Sequence, residues 1–251
     1  MAIINRKAII PTPRPWPIPF FAHRGGTTDR NEENTLAAFE KALSENSPGI
    51  EIDVHFVKGA VKVSHYKKRA AGKKVPTLEH TLDFIHQICA QKKIPRPIMN
   101  IDLKSFGVGN AVADIITKNI VLKKWNCSDF IITAFTRKNI KGVREKFLEL
   151  KKIRRKMPAI PCGIIGTRNS TKPYRKFAEE VNACSLNTKW EKGGVYNKYI
   201  SDAHALGLAV YLWNVNTAEQ MEDVVKKGVD GIITDAIGTA KRFFAIASRI
   251  F

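Results

Sequence analysis

Gly49-Ile50-Glu51-Ile52-Asp53-Val54-His55-Phe56 is a short apolar run interrupted by two acids. In an extended strand Glu51 and Asp53 stand two positions apart, so both side chains leave from the same face. A Lys58-Gly59 turn follows, and Val61 to Ser64 reads as a short extended partner of the same strand. Upstream, Ile18 to Ala22 is an earlier run that ends at His23. Thr35 to Leu43, between the two runs, has a helical pattern, with Asn34 available as its N-cap. Downstream the same alternation continues. Further runs are Pro97 to Leu103, Phe130 to Ala134, Ala159 to Ile165, Val181 to Leu186, Leu208 to Val215 and Gly231 to Thr234. Helical patterns lie at Leu78 to Ala90 behind a Thr77 cap, Val112 to Leu122, Thr136 to about Leu150, and Thr217 to Lys227. A last one runs to Phe251.

Eight strand-like runs separated by helices predict βαβ repetition and parallel strands, an α/β chain. The count of eight and the 251-residue length favour closure into a single-domain (β/α)8 TIM barrel. The polar residues just after several runs, His23, Asp53, Lys104, Asn214 and Asp235, favour it too, because barrel enzymes build their sites at the strand C-termini. A doubly wound sheet would more often carry a glycine-rich turn after its first strand, and Gly25-Gly26 does not match that fingerprint. The barrel is expected over residues 18–251, preceded by an extended arm over residues 1–17 in which Pro11, Pro13, Pro15 and Pro17 alternate.

The order of the motifs is more specific than any one of them. Ala22-His23-Arg24-Gly25-Gly26 closes the first run, and Glu33-Asn34-Thr35 follows. Glu51-Ile52-Asp53 comes next, then His65, Pro76-Thr77-Leu78-Glu79 and Asn100-Ile101-Asp102-Leu103-Lys104. Tyr211 to Asn216 and Gly228 to Asp235 complete the set. This series resembles the glycerophosphodiester phosphodiesterase family over roughly residues 20 to 240. The resemblance implies metal-dependent hydrolysis of glycerophosphodiesters to an alcohol and glycerol 3-phosphate. It also implies that a substrate hydroxyl attacks first, giving a cyclic phosphate.

The residues give this chemistry a physical basis. Glu51 and Asp53 share a face, and Asp102 ends the neighbouring third run. Carboxylates forced together repel unless a proton or cation intervenes. Three carboxylates without cysteine make a hard oxygen site for one divalent cation, Mg²⁺ or Ca²⁺. His23 and His65 are the candidate acid–base pair, since imidazole titrates near neutral pH. Arg24 and Lys104 are candidate donors to phosphoryl oxygens, and the resemblance implies that Trp213 forms an apolar wall over the site. Glu33 could bond around the acids or favour the start of the helix. His80, His86 and His204 read as structural, whereas His55 shares the strand face of Asp53.

Three departures from the family pattern stand out. Tyr66 follows His65 where the family usually has Asp, and Asp102 stands where Glu is usual. Only ten residues, Tyr66 to Val75, separate His65 from Pro76, so the family's usual insertion after the second histidine is lacking. The short loop is basic, with Lys67, Lys68, Arg69, Lys73 and Lys74. A similar shortage marks the related phospholipase D toxins, so a lysophospholipase D-like activity on larger lipids is an alternative reading. A noncatalytic phosphodiester-binding barrel, which Tyr66 would suit, is another.

Forty-two Lys and Arg against 23 Asp and Glu give a net charge of +19, which attracts polyanions. The expected partners are a small-molecule or lipid phosphodiester and an anionic membrane surface. No specific nucleic-acid partner is expected, since the chain carries neither an RNP-like aromatic motif nor a zinc finger. Cys89, Cys127, Cys162 and Cys184 show no C-x-x-C spacing and read as buried apolar residues of a reducing compartment. No apolar run is long enough to span a bilayer and the first twenty residues lack a signal-type stretch, so the expectation is a cytoplasmic protein that can associate with membranes.

Overall fold

The computed structural model describes residues 20–247, apart from 73, 154–159, 167–171 and 195. The arm expected over residues 1–17 lies outside the described residues, as does the end of the last helix beyond 247. Among the described residues nine strands form: β1 (Phe20–His23), β2 (Gly49–Val57), β3 (Ala60–Val63), β4 (Ile98–Leu103), β5 (Phe130–Ala134), β6 (Cys162–Gly166), β7 (Ser185–Lys189), β8 (Ala209–Trp213) and β9 (Gly231–Thr234). Eight of them are parallel and close into a ring in the order β1-β2-β4-β5-β6-β7-β8-β9 and back to β1. The ninth, β3, is an antiparallel hairpin partner on the outer end of β2. This is the (β/α)8 barrel that the alternation predicts.

Helices return the chain between strands: α1 (Leu36–Ser44), α2 (Lys67–Ala70), α3 (Leu78–Lys92), α4 (Val108–Val121), α5 (Arg137–Ile153), α6 (Lys172–Val181), α7 (Tyr196–Ala205), α8 (Ala218–Lys226) and α9 (Ile237–Ala247). The starts of α1, α3 and α8 are capped by threonine hydroxyls. Thr77 Oγ1 accepts from the His80 amide at 3.1 Å, and Thr217 forms a reciprocal box with Gln220. At α1 the cap is Thr35, not Asn34, because the Asn34 side chain bonds Asp53 instead. The sixth expected run, Val181 to Leu186, is also corrected. Val181 ends α6, Asn182 takes a left-handed φ of 46°, and the strand begins only at Ser185. An apolar Val-x-Ala-Cys stretch does not tell a helix end from a strand start.

Strand alternation divides the apolar residues between two cores. One face of each strand, with Ala22, Ile50, Ile52, Ile101, Ile132, Ile164, Val210 and Ile232, packs outward against the helices. Inside the ring the apolar filling is small: Phe21, Ile131 and Ile233, with Ile98, Tyr211 and Trp213 beside them. Phe21 and Tyr211 meet edge to face across the barrel, 5.7 Å between centroids. Above this floor the interior is polar, with Glu51, Asp53, Asn100, Asp102, Thr133 and Asn187 all buried. The last helix packs rather than protrudes: Phe244 stacks on Phe20 at 5.9 Å. All four cysteines are free and buried. Among the described residues no helix is long and apolar enough to cross a membrane.

Gly49 sits beside Phe21 in the β1–β2 register, and a methyl added there would run into the Phe21 ring. Gly49→Ala is therefore expected to lower stability by about 1–3 kcal/mol. Urea unfolding checks this: the midpoint should fall while the slope holds, and an unchanged midpoint would mean the floor is looser than described.

Candidate active site

The site forms where β1, β2, β4 and β9 end. Register aligns the acids: His23 pairs with Glu51, Glu51 with Asn100, and Asp53 with Asp102. Side chains two apart on β2 and a register partner on β4 thus converge on the barrel axis. One ligating oxygen from each of Glu51, Asp53 and Asp102 lies within 4.8 Å of the others, and all three residues are buried. His23, Arg24, His65, Lys104 and Trp213 line the same cavity, of about 310 Å³. The sequence-predicted residues are therefore brought together without exception.

The backbone after β1 is shaped to bring Arg24 over the acids. Arg24 has a φ of 52° and is followed by Gly25 and Gly26, both at positive φ. Side chains at these glycines would strike Ala38 and Ile237, so only glycine lets the turn fold this close. The Arg24 amide then donates to Glu51 Oε2 at 3.0 Å. Its guanidinium sits 2.8 Å from Asp53 Oδ2 and donates to Glu33 Oε2 at 2.8 Å. Glu33 therefore orients the arginine and does not touch the acids directly.

Asp53 carries most of the local bonding. Asn34 Nδ2 donates to Asp53 Oδ2 at 3.0 Å, and the Asp53 amide donates back to Asn34 Oδ1 at 3.1 Å. His65 Nδ1 lies 3.2 Å from the same Oδ2, and the Lys104 ammonium lies 2.9 Å from Oδ1. Burial works to raise the Asp53 pKa, but the His65 bond and the Lys104 and Arg24 charges outweigh it and hold the carboxyl well below its usual range. Lys104 also pairs with Asp102 Oδ2. Burial pushes the Asp102 carboxyl up to about 6, against the Lys104 charge. Glu51 is driven well above its ordinary value by burial, with Asp53 and Asp102 adding repulsion.

Each histidine is held by an aspartate through Nδ1. His23 Nδ1 lies 2.5 Å from Asp235 Oδ1. Asp235 Oδ2 accepts from Asn214 Nδ2 at 3.0 Å and from Asn216 Nδ2 at 2.9 Å. Burial opposes ionisation of Asp235, yet the His23 bond and these amides lower its pKa overall. A ring that gives its Nδ1 proton to a carboxylate keeps Nε2 free for proton transfer. In His65, Nε2 is 3.4 Å from an Arg24 nitrogen, and the His65 carbonyl accepts from His55 Nε2 at 3.1 Å. His55 thus steadies the His65 backbone. His80 and His86 lie on α3 and His204 on α7, away from the cavity.

The donor set fits a hard divalent cation. All three groups offer oxygen, and the buried Asp102 Oδ1 has no hydrogen-bond partner. Three acids against Arg24 and Lys104 also leave negative charge uncompensated at full ionisation.

Several residues that serve the site lay outside the predicted site set. Asn34 reads as a cap in sequence, and only the closeness of α1's start to β2 gives it to Asp53. Asn214 and Asp235 carry a signal, polar residues directly after β8 and β9, but their service to His23 depends on ring closure. Asn187 was hidden by the misplaced β7; it is buried, lines the cavity and leaves Oδ1 unpartnered. Phe135 closes the cavity beside Lys104, whose ammonium is 5.3 Å from its ring centroid.

Comparison with known proteins adds a second line. The sequence model of the Glycerophosphoryl diester phosphodiesterase family matches residues 57–239. A glycerophosphodiester phosphodiesterase of Caldanaerobacter subterraneus is 25% identical over 248 residues, covering 85% of this chain and 92% of that one. One from Bacillus altitudinis is 24% identical over 241 residues, covering 86% and 93%. Among solved structures, an Oleispira antarctica phosphodiesterase in complex with the product sn-glycerol-3-phosphate is similar, with a TM-score of 0.67 and 16% identity over 90% of this chain and 96% of the other. A glycerophosphodiester phosphodiesterase from Parabacteroides distasonis gives a TM-score of 0.65 and 20% identity, covering 91% and 98%.

Because ionised Glu51 is disfavoured by the fold, its charge costs stability once the pH rises through its raised pKa. Glu51→Gln should raise the stability of metal-free protein at pH 8 by about 1–2 kcal/mol while removing any stabilisation by added Mg²⁺ or Ca²⁺. Thermal melts with and without the ions check both halves. A lower melting point for the metal-free variant would contradict the crowding of charge.

Proposed function

The chain belongs to the glycerophosphoryl diester phosphodiesterase family, and from that membership together with the site we propose that it hydrolyses glycerophosphodiesters to an alcohol and glycerol 3-phosphate. One observation carries the mechanism: two imidazoles, each backed by an aspartate, line the cavity that also holds three convergent carboxylates. Glu51, Asp53 and Asp102 are the proposed ligands of one divalent cation, Mg²⁺ or Ca²⁺, which when bound would polarise a nonbridging phosphate oxygen.

The remaining work belongs to the protein's own groups. Arg24 and Lys104 direct their cationic ends into the cavity and bind phosphoryl oxygens as negative charge builds there. One histidine takes the proton from the attacking hydroxyl through Nε2. The other gives a proton to the departing alkoxide. A hydroxyl of the substrate's own glycerol is the first nucleophile: its oxygen bonds to phosphorus, the alcohol leaves protonated, and a five-membered cyclic phosphate results. Water then opens the ring with the histidine roles reversed, giving glycerol 3-phosphate. Trp213, packed against the Phe21, Ile131 and Ile233 floor and lining the cavity, walls the substrate's apolar side.

His23→Ala and His65→Ala should each lower kcat on glycerophosphocholine by about 10²–10⁴-fold in saturating Mg²⁺ or Ca²⁺. Phosphorus NMR identifies the products. Release of glycerol 3-phosphate with a transient cyclic species is the expected result. No turnover of any glycerophosphodiester by the unaltered protein at saturating metal would overturn the reading and leave a binding barrel.

A further inference from the structure

Four aromatic side chains are exposed among the described residues, and all four stand at one side of the cavity mouth. They are Phe56 (44% exposed), Tyr66 (52%), Phe106 (69%) and Phe135 (42%). Contacts join them into one rim. The Phe56 amide donates to Ser105 Oγ at 2.8 Å, next to Phe106. The Lys138 ammonium lies 4.0 Å from the Phe106 ring centroid, at the start of α5 just after Phe135. Phe135 lines the cavity, and Tyr66 sets its ring edge-on against His65 at 4.6 Å. The other exposed large apolar residues, Val121, Leu122 and Leu148, lie at or beyond the far parts of α4 and α5.

The charge around this rim has one sign. Between Asp53 and Glu79 the chain has seven Lys or Arg and no acid, and neither 103–113 nor 135–144 contains an acid. Lys58, Lys67, Lys68 and Lys138 are exposed there. Arg69 is used internally, holding the Arg30 and Asn31 carbonyls at 2.8 and 2.6 Å, which fixes the short α2 beside the mouth. Exposed rings among lysines are costly to leave in water and match a surface that is apolar beneath and anionic above. The chain's first nineteen residues are a poor cover for it, since they carry Arg6, Lys7 and Arg14 and no acid.

We propose that the Phe56–Phe106 side of the mouth docks on an anionic phospholipid bilayer, its rings entering the headgroup layer and its lysines meeting lipid phosphates. Docked so, the cavity proposed above to hydrolyse glycerophosphodiesters opens onto the headgroup layer.

The experiment is flotation of the full chain with vesicles of phosphatidylcholine alone or with about 30 mol% phosphatidylserine, in about 0.15 M salt. Binding to the anionic vesicles and little to the neutral ones is expected. Phe56→Ser with Phe106→Ser should cut the partition coefficient about tenfold or more. Lys67→Gln, Lys68→Gln and Lys138→Gln together should cut it about a hundredfold, at roughly fivefold per lysine. Neither set should change turnover of soluble glycerophosphocholine, which also shows that the variants fold. Equal binding to both vesicle types overturns the proposal. So does binding that ignores the two phenylalanines and vanishes at that salt, the behaviour of a polycation on any polyanion, RNA included. Hydrolysis of glycerophosphocholine without vesicle binding removes the docking and leaves the activity. Vesicle binding without hydrolysis of any diester leaves the docking and removes the activity.

Discussion

Three buried carboxylates within 4.8 Å of one another are the feature on which the rest of the site depends. Parallel register makes their meeting unavoidable: β2 carries two of them on its inner face, and β4 brings the third level with Asp53. Like charges this close in a poorly solvated interior demand a counter-charge. Arg24, Lys104, Asn34 and His65 are the protein's own answer, and they divide the acids unequally. Asp53 receives nearly all of the bonding and stays ionised. Glu51 and Asp102 receive less and are pushed upward. That imbalance leaves oxygen free for a cation from solution.

The same economy governs the imidazoles. His23 and His65 come from different parts of the ring, one at a strand end and one beyond a hairpin that folds back to the level of Asp53. Each has its Nδ1 committed to a carboxylate, and the Nε2 of His65 additionally meets Arg24. Asp53 serves His65 and the acid cluster together, which ties the position of that imidazole to that of the carboxylates. Around this negative centre the protein carries +19. A positive surface attracts anions, and Arg24 and Lys104 carry positive charge into the cavity itself.

The strands, their number and the convergence of Glu51, Asp53 and Asp102 were legible because each depends on a local period or on motif order. What was not legible depends on closure. Asp235 and Asn214 reach His23 only because β9 returns to β1. Asn34 belongs to Asp53 rather than to α1 because the first loop folds over the end of β2, and Thr35 can cap the helix in its place. Asn187 was lost with a strand placed four residues early, where Val181 and Ala183 looked like strand and are the end of a helix and its turn. The aromatic rim was invisible for a related reason. Phe56, Tyr66, Phe106 and Phe135 are scattered along eighty residues, and no local period groups them.

Anomalous diffraction from a crystal soaked in Mn²⁺ tests the central claim most directly. The account predicts one strong peak with an oxygen of Glu51, of Asp53 and of Asp102 each about 2.0–2.6 Å away, and Lys104 displaced from its bridge between the aspartates. A peak elsewhere, or no peak while Lys104 still spans Asp53 and Asp102, would contradict it.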